Sequence, residues 1–400
     1  MLEVAEALAA VLEHARPRRP EAVALSPVVL GRVLAMHATA DRDSPPFDKS
    51  LRDGYAVRSA DCAGGAAELR VVEEVPAGAV PAKAVGPGEC ARLFTGAPIP
   101  DGADAVVMQE DTQLVGDRVR VTDTAVKPGQ WVFPRGREMR AGDVVLPAGT
   151  VINPAAVGVL AGLGAAEVPV VPWPRVAVLA TGNELVGLAD EPGPGQIRNS
   201  NGPMLVSLAV RAGAVVHDLG IARDTAGELR ARIESGLDRT DVLILAGGVS
   251  VGKFDLVPGV LEELGVTPHV RQVRMKPGKP LFFGTRGDAL VFGLPGNPVS
   301  AFVCFELFVR PALRVLAGHG EPGPRTATLP LAEPVAESND RPTYRPARLE
   351  PAAVGWAVRP LPWAGAPDLR GLQPADALLV LPAGESRFDP GTPVPVVLLN

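Results

Sequence analysis

A glycine-rich loop follows one apolar segment, and its residue types suggest anion binding. The segment DVLILA leads directly into Gly247-Gly248-Val249-Ser250-Val251-Gly252. Glycines allow successive backbone N–H groups to point at one position, which forms a nest for an anion. Two alternatives stay open: an ordinary turn from strand to helix, and the G-x-S-x-G nucleophile elbow of α/β-hydrolases with Ser250 as the nucleophile. The elbow requires a helix directly after the serine, whereas Lys253-Phe254-Asp255 and Pro258 follow it.

Two lysines lie close together in a sequence that otherwise prefers arginine. The chain has six lysines and thirty-three arginines, yet Lys276 and Lys279 lie three residues apart in KPGKP. Prolines restrict this loop, and ammonium groups are compact point charges suited to a small oxyanion or a phosphate. The alternative is a solvated basic turn, which charge alone favours. The rarity of lysine elsewhere adds weight to the oxyanion, and both alternatives stay open.

Carboxylates follow three predicted strands. Glu184 comes after RVAVLATGN, Asp224 after HDLGIAR and Asp255 after the glycine loop. Each acid alone is explained as a helix cap or a solvated charge. Three acids at one edge of one sheet, with a bound phosphate, are the hard ligands that Mg²⁺ prefers. The segment from Leu294 to Ser300 also joins a strand to a helix, where Asn297 is suited to capping the helix.

Composition and charge exclude several classes of protein. The chain has 400 residues and a net charge of −6, so we expect no nucleic-acid partner. Three dispersed cysteines without a CxxC and five unclustered histidines argue against a disulfide framework or a zinc site. No secretory signal is recognisable, and no apolar run approaches the ~18 residues of a membrane span. We expect a soluble cytoplasmic protein with no membrane partner.

The amino-terminal half is expected to combine helices with an all-β unit. Apolar spacing predicts a helix over residues 2–15, and Ser26-Pro27 predicts the start of a second helix that ends at Leu34. Short β-type runs broken by glycine and proline predict an all-β unit between about 45 and 134. A mixed segment with a helix at 153–163 follows.

The carboxyl-terminal half is expected to contain an α/β domain and a small β domain. Apolar strands alternate with helices over residues 175–315, which predicts a mostly parallel, doubly wound sheet. Such sheets bind ligands beyond the carboxyl ends of their strands. The helices are expected in PMLVSLAVRAG, AGELRARIESGL, LVPGVLEELG and VSAFVCFELFVRPAL, and a strand in HVRQVRM. Short strands at 325–333, 343–350, 376–382 and 393–399 predict a barrel or sandwich.

Six ordered motifs resemble one family. FDKSLRDGYAVRSAD, TGAPIPDGADAVVMQED, TGNEL, GGVSVGKFD, KPGKP and GLPGNPVSA are similar to segments of the molybdopterin molybdenumtransferases, the family of MoeA and the gephyrin E-domain. The resemblance implies insertion of molybdate into adenylylated molybdopterin, with release of AMP in a Mg²⁺-dependent reaction. It implies an elongated homodimer that works between a molybdopterin adenylyltransferase upstream and apo-molybdoenzymes or carrier proteins downstream.

The resemblance also implies a division into four domains. A helical or linker domain I consists of 1–45 with 137–172, and a β-rich domain II of 46–136. The α/β molybdopterin-binding domain III covers 173–320, and a small β-barrel domain IV covers 321–400.

The resemblance assigns expected roles to individual residues. Molybdate is expected at Lys276, Lys279, Ser300 and Arg345, and Mg²⁺ at Glu184 and Asp255. Catalytic roles are expected for Asp53, Glu138, Asp224, Asp255, Lys276 and Lys279, with Asp53 and Glu138 reaching the site from the partner subunit. Substrate contacts are expected at Thr95, Gly96, Thr181, Gly182, Ser200, Asn201, Gly247, Gly248, Ser250, Pro295, Gly296, Asn297, Pro298, Ser300 and Arg345.

The sequence departs from the family pattern at several of these motifs. Arg52 stands before Asp53 where the family often has methionine, and Glu138 stands where the family often has aspartate. Asn183 and Asn199 replace acids, which leaves Glu184 as the only acid of its motif. No residue of the late segment GAPDLRG (365–371) can be identified with the serine that the family carries there.

Three other functions are compatible with parts of the sequence. A molybdopterin adenylyltransferase resembles residues 173–320 alone, but the extra β domains and the DGYA and TGAP motifs argue against it. A non-catalytic molybdopterin-binding scaffold would bind partners without turnover. A hydrolase would depend on Ser250, although the later histidines His269 and His319 lie in turn contexts unsuited to a catalytic base.

Overall fold

The computed structural model describes residues 1–248 and 256–399, and the described chain forms two compact units. The first unit contains residues 1–36, residues 149–157 and the chain from 166 onward. The second contains residues 37–148 and 158–165. The division into four domains remains a prediction.

The first unit begins with a short helix and two strands, α1 (Val4–His14), β1 (Glu21–Ala24) and β2 (Val33–Leu34). Glu3 and Glu6 form a capping box at the start of α1, which satisfies backbone N–H groups of its first turn. Ala7 and Val11 are fully buried, as the helical spacing of the apolar residues requires. The predicted first helix is confirmed.

The predicted second helix from Ser26 to Leu34 is wrong. Only a single 3₁₀ turn, Pro27–Val29, forms there, and the Ser26 side chain makes no capping hydrogen bond to a described residue. Gly31 then adopts a φ of +78°, outside the helical region. Val33 and Leu34 instead pair as a strand, which suits a β-branched residue in a buried position.

The second unit consists mainly of short strands, and the predicted all-β unit is confirmed. Its six-stranded sheet has the order β8-β5-β7-β6-β10-β9, with the pairs β11-β4 and β12-β3 beside it. Tyr55, Leu69 and Val107 belong to its buried core. The strands are β3 (Ala38–Thr39), β4 (Lys49–Ser50), β5 (Gly54–Val57), β6 (Ala67–Val75), β7 (Glu89–Leu93), β8 (Ala105–Met108), β9 (Thr112–Val115), β10 (Arg118–Val121), β11 (Val132–Phe133) and β12 (Val144–Leu146).

A helix and a strand precede the α/β region, α2 (Pro154–Gly162) and β13 (Glu167–Val171). The predicted helix at 153–163 is therefore confirmed. Strand β13 lies between β1 and β2 in a small antiparallel sheet of the first unit.

The α/β region is a six-stranded sheet with the order β17-β14-β18-β21-β20-β19. The first four strands are parallel, and β20 alone runs antiparallel to both of its neighbours, β21 and β19, so the predicted doubly wound, mostly parallel sheet is confirmed. Separate clusters of buried apolar side chains cover its two faces. The elements are β14 (Arg175–Thr181), β15 (Leu185–Val186), β16 (Ile197–Arg198), α3 (Asn201–Arg211), β17 (Val215–Ala222), α4 (Ala226–Leu237), β18 (Val242–Ala246), α5 (Val257–Glu263), β19 (Thr267–Val270), β20 (Phe282–Arg286), β21 (Ala289–Leu294), α6 (Pro298–Cys304) and α7 (Arg310–Leu316).

Two details of this region differ from the sequence expectation. The strand expected in HVRQVRM ends at Val270, because Val273 leaves the sheet to bridge to Leu2 and the next residue after the segment, Lys276, bridges to Thr343. The expected long helix after Pro298 contains a π-helical turn at Phe305–Val309, which separates α6 from α7.

The carboxyl-terminal region has a five-stranded sheet with the order β22-β28-β26-β24-β25 and a separate β23-β27 ribbon. Leu331, just after β22, bridges to Val358 in β25, which brings the two edge strands together as in a small barrel. All four expected strands are present, and three more were not expected. The elements are β22 (Thr326–Pro330), β23 (Val335–Asn339), β24 (Thr343–Pro351), β25 (Trp356–Pro360), α8 (Leu369–Leu372), β26 (Ala377–Leu381), β27 (Gly384–Phe388) and β28 (Pro393–Leu398).

None of the helices in the described part of the chain has the length and apolar character that crossing a bilayer demands.

Candidate functional site

A cleft of about 680 Å³ opens at the carboxyl ends of strands β14, β18 and β21. The strand order reverses here, because β17 lies on one side of β14 and β18 on the other. Open α/β sheets bind ligands at such switch points. We call this the strand-end cleft, and among the described residues it is lined by Thr181, Gly182, Glu184, Leu185, Ile197, Arg198, Asn199, Ser200, Asn201, Asp224, Ala246, Gly247, Gly248, Pro280, Pro295, Gly296, Asn297, Pro298 and Pro367.

The structure brings together twelve of the residues expected at the site. They come from four strand ends and the starts of two helices. They are Thr181, Gly182, Glu184, Ser200, Asn201, Asp224, Gly247, Gly248, Pro295, Gly296, Asn297 and Pro298. Two further expected residues, Ser250 and Asp255, lie outside the described residues.

The two glycines after β18 are required by their backbone conformation and by space. Gly247 has a φ of +97° and Gly248 a φ of +65°, both in the left-handed region. A Cβ at Gly247 would lie 2.6 Å from the carbonyl oxygen of Thr181, and one at Gly248 would lie 2.8 Å from the Thr181 hydroxyl. Side chains at these positions would therefore close the bottom of the cleft.

Two buried polar atoms beside the cleft lack partners within the described parts of the chain. The Thr181 residue is only 3% exposed, and its Oγ1 forms no hydrogen bond there. The Oδ1 of Asn201 is likewise unpaired, although its Nδ2 donates to the carbonyl oxygen of Gly296 at 2.7 Å. Unsatisfied buried groups destabilise a fold unless a ligand or water satisfies them. The cleft therefore offers polar positions to a ligand.

Helices α3 and α6 both begin at the cleft. Asn199 accepts a hydrogen bond from the Gly202 N–H at 2.9 Å and so stabilises the first turn of α3. Asn297 precedes α6 but makes no capping hydrogen bond to a described residue, so the capping alternative for this residue is not supported. Helix amino termini carry partial positive charge, which favours an anion in the cleft.

A buried carboxylate holds the two helices together below the cleft. Glu306 is 2% exposed and lies in the π-helical turn after α6. It forms ion pairs with Arg211 at the end of α3 and with Arg310. Because removing one partner would leave a buried charge, this group fixes α3 against the segment after α6.

Asp224 and Glu184 lie at the mouth of the cleft, and Asp224 is held by hydrogen bonds whereas Glu184 is exposed. The Asn183 N–H donates to Asp224 Oδ2 at 3.2 Å, and the Asp224 N–H donates to Asn183 Oδ1 at 3.1 Å. Arg223 donates to the Asn183 carbonyl oxygen at 3.0 Å. Glu184 is exposed and lies over Gly182, where a Cβ would approach its Oε2 to 2.5 Å.

These acids suit a metal shared with a substrate. No three His, Cys, Asp or Glu side chains among the described residues are grouped to hold a metal alone. Mg²⁺ commonly takes one or two carboxylates and completes its ligands with water and phosphate oxygens. Glu184 and Asp224 fit that second arrangement.

The residues expected to hold molybdate do not line the cleft. Lys276 Nζ donates to Asn339 Oδ1 at 2.6 Å and lies 3.3 Å from Glu337 Oε1, both on β23. Arg345 donates to the Leu361 carbonyl oxygen at 3.1 Å. Ser300 is buried in α6, and Lys279 is exposed with no ion pair to a described side chain. Only the next residue of the loop, Pro280, reaches the cleft.

The second unit contains the remaining expected residues. Both the N–H and the hydroxyl of Thr95 donate to Asp53 Oδ1 at 2.7 Å. These bonds hold the pKa of Asp53 below its ordinary value. Gly96 follows with a φ of +88°. Glu138 is a separate group that accepts a hydrogen bond from the Ser44 hydroxyl at 2.7 Å.

Seven residues of the cleft wall were not expected from the sequence. Arg198 is exposed in β16, and its parallel pairing with β15 brings it to the cleft. Pro367 belongs to the late segment GAPDLRG, which meets α6 through the Val299 N–H and the Ala366 carbonyl oxygen. The others are Leu185, Ile197, Asn199, Ala246 and Pro280. The QIRN segment could have been found as a polar run between strand β14 and helix α3.

No histidine lines the described part of the cleft, which argues against the hydrolase alternative. His269 stacks on His14 with ring centroids 3.9 Å apart, and burial lowers its pKa. Burial and the nearby Arg314 and Arg325 lower the pKa of His319 to about 4. Both histidines are therefore accounted for by packing.

Comparisons with known proteins match this architecture along nearly the whole chain. Residues 2–164 match the MoeA N-terminal region, 177–315 a probable molybdopterin binding domain, and 328–399 the MoeA C-terminal region. Fold and site thus define a multidomain protein built around a molybdopterin-binding α/β domain.

Similar proteins agree with these matches. A molybdopterin molybdenumtransferase from Bacillus subtilis strain 168 is 35% identical, covering 100% of this chain and 94% of the relative. One from Staphylococcus aureus strain Mu50 is 36% identical over 92% of this chain and 89% of the relative. The solved molybdopterin biosynthesis MoeA protein of Pyrococcus horikoshii has a TM-score of 0.85 at 32% identity, over 100% and 99% of the two chains. The chain belongs to the MoeA family of molybdopterin molybdenumtransferases, and it is an enzyme.

Proposed function

We propose that this enzyme inserts molybdenum from molybdate into adenylylated molybdopterin and releases AMP, with Mg²⁺ required. The names of the relatives support molybdenum transfer in molybdenum cofactor biosynthesis. The observation that carries the proposal is the strand-end cleft, with its glycine floor and with Thr181 and Asn201 oxygens that have no hydrogen-bond partner among the described residues. This combination suits a polar, phosphate-bearing ligand.

The phosphate-bearing part of the substrate binds where the backbone comes closest to the cleft. Gly247 and Gly248 leave room for phosphate oxygens, and the start of α3 adds favourable partial charge. The Thr181 hydroxyl can donate to a phosphate oxygen, while Asn201 Oδ1 can accept from a pterin or ribose group. Ser250 is assigned to the same phosphates.

Glu184 and Asp224, together with Asp255, are assigned to hold Mg²⁺ with the substrate phosphates. The ion would supply Lewis-acid polarisation of the phosphoanhydride that is cleaved. Two neighbouring residues position these carboxylates. Asn183 accepts a hydrogen bond from the Asp224 N–H, and Gly182 has no side chain that would displace the Glu184 carboxylate. The glycine floor and Pro295-Gly296-Asn297-Pro298 orient the substrate.

Molybdate binds at residues 276–280, which we call the basic loop, and at β24, to which the loop bridges through Lys276 and Thr343. Lys276, Lys279, Arg345 and Ser300 are the assigned ligands. A tetrahedral dianion matches clustered ammonium and guanidinium groups. The sulfur ligands for molybdenum belong to the substrate, so the three buried cysteines are not needed for its capture.

The proposal also includes the assembly and the place of the reaction. The enzyme acts as a cytoplasmic homodimer, in which Asp53 and Glu138 act at the site of the other subunit and Thr95 and Gly96 contact the substrate. It receives its substrate from a molybdopterin adenylyltransferase and delivers its product to apo-molybdoenzymes or carrier proteins.

Turnover with purified components tests the proposal. The protein is incubated with adenylylated molybdopterin, Mg²⁺ and molybdate, and AMP release and reactivation of an apo-molybdoenzyme are followed together. We expect both signals to require molybdate. Binding of the substrate without AMP release would contradict the proposal and favour a scaffold.

A further inference from the structure

Lys276 is held by the carboxyl-terminal region through both its backbone and its side chain. Its N–H donates to the Pro342 carbonyl oxygen at 2.8 Å, and its carbonyl oxygen accepts from the Tyr344 N–H at 2.7 Å. Its ammonium group meets Asn339 and Glu337, which lie two residues apart on one face of β23. The position of this ammonium group is therefore set by β23.

The polar cluster around Lys276 extends to Arg345. Asn339 Nδ2 donates to the hydroxyl of the fully buried Thr343 at 2.9 Å, and Thr343 shares one face of β24 with Arg345. Burial lowers the pKa of Arg345, and the Glu337 carboxylate offsets part of that effect. Glu337 thus acts electrostatically on both cations.

The Glu337 carboxylate is well shielded from water. Its side chain is 15% exposed, whereas that of Lys276 is 40% exposed. A shielded carboxylate needs nearby cations, because burial without a partner costs several kcal/mol. Its negative charge also repels any second anion that approaches the same cations.

We propose that Glu337 is a built-in counter-anion of the oxyanion site, and that an incoming oxyanion competes with it for Lys276 and Arg345. This inference rests on the assignment of that site to molybdate in the proposed function. Glu337 then sets how strongly the site binds a doubly charged oxyanion. A singly charged carboxylate yields to a dianion, while the cations stay neutralised when no oxyanion is bound.

Direct molybdate binding tests this role without the nucleotide substrate. Molybdate is titrated into the whole purified protein by calorimetry, for the wild type, Glu337→Gln and Glu337→Ala. Removing the negative charge should tighten molybdate binding by about five-fold or more. Glu350→Gln is the matched control, because Glu350 pairs with Arg359 in the same domain and touches none of these cations. We expect its binding to equal that of the wild type.

The outcomes separate this inference from the proposed function. Unchanged or weaker binding in folded Glu337 variants would overturn the counter-anion role, as would equal tightening in Glu350→Gln. Thermal unfolding of each variant verifies its fold. Tighter binding by Glu337→Gln with no AMP release by the wild type would retain the counter-anion and reject the transferase. Normal AMP release by the wild type, together with unchanged molybdate binding by Glu337→Gln, would retain the transferase and reject the counter-anion.

Discussion

The strand-end cleft and the basic loop at β23 both belong to the first unit, but their polar groups differ in whether they already have partners in the described protein. The cleft has a floor of glycine and buried oxygens of Thr181 and Asn201 that no described residue hydrogen-bonds. At the basic loop, Lys276 already has Asn339 and Glu337 as partners. One region leaves polar positions open, and the other satisfies its cation internally.

This difference follows from the size and charge of the proposed ligands. A large ligand with many polar groups can satisfy the orphaned atoms of a preformed cleft, and the rigid strand ends supply the needed precision. A small dianion offers few contacts, so an exposed pair of cations would bind many anions without selection. The Glu337 carboxylate weakens the binding of every anion at the basic loop, so that only a strongly charged anion displaces it.

The largest expected effect comes from filling the floor of the cleft. Gly247→Ala places a methyl group 2.6 Å from the Thr181 carbonyl oxygen and forces alanine to adopt a φ of +97°. We expect binding of adenylylated molybdopterin to weaken by about 100-fold or more, since the strand ends must move. Equilibrium binding measures this loss.

A second glycine provides the matched control. Gly259 lies inside α5, and a Cβ there meets no atom within 4 Å. Gly259→Ala should bind substrate as the wild type does and be stabilised by up to about 1 kcal/mol. Wild-type binding by Gly247→Ala would show that the cleft does not receive the phosphates.

An intermediate effect is expected at Lys279, the exposed lysine of the basic loop. Lys279→Ala should raise the half-saturating molybdate concentration by about ten-fold, because an exposed cation without an ion pair in the described chain is removed. Binding of the nucleotide substrate should change less than two-fold. AMP release at varied molybdate measures the first quantity. Lys127→Ala, at an exposed lysine of the second unit, is the control. If Lys279→Ala weakened the binding of molybdate and of the nucleotide substrate equally, the basic loop and the strand-end cleft would not be separate binding sites.

The smallest effect is expected at the mouth of the cleft. In Asn183→Asp the side chain can still accept from the Asp224 N–H, but a further negative charge appears beside Asp224 and Glu184. Binding of Mn²⁺, a probe for Mg²⁺, should tighten by about three-fold. Asn153→Asp is the control, since Asn153 accepts from the Ala156 N–H at the start of α2. If Asn183→Asp bound Mn²⁺ as the wild type does, Asn183 would not lie close enough to the metal to affect its binding.

Local patterns in the sequence predicted which strand ends and helix starts meet at the cleft, and the roles of these residues stay predictions. Apolar strands, glycine at strand ends and polar helix starts each have short-range signatures, and parallel topology brings them to one edge.

Two elements were predicted wrongly or missed. Ser26-Pro27 predicted a helix start, but the positive φ of Gly31 and the pairing of Val33 and Leu34 with β13 prevent a helix there. The strand β20 was missed, although its FFGTR segment pairs with β21 over five residues.

The surroundings of the basic loop could not be predicted in the same way. Glu337 and Asn339 lie about sixty residues after Lys276, on a strand that sequence patterns did not reveal. Their contact with Lys276 arises from the pairing of the loop with Pro342 and Tyr344. Long-range pairing of this kind leaves no short motif. Arg198 was missed for the same reason, because a two-residue pairing with β15 places it.

One crossed titration tests most directly whether the two regions are separate binding sites. Adenylylated molybdopterin and molybdate are each titrated into Gly247→Ala and Glu337→Gln. We expect Gly247→Ala to lose the nucleotide substrate while its molybdate binding stays within about two-fold of the wild type, and Glu337→Gln to tighten molybdate binding alone. Parallel changes for both ligands in either variant would contradict this expectation.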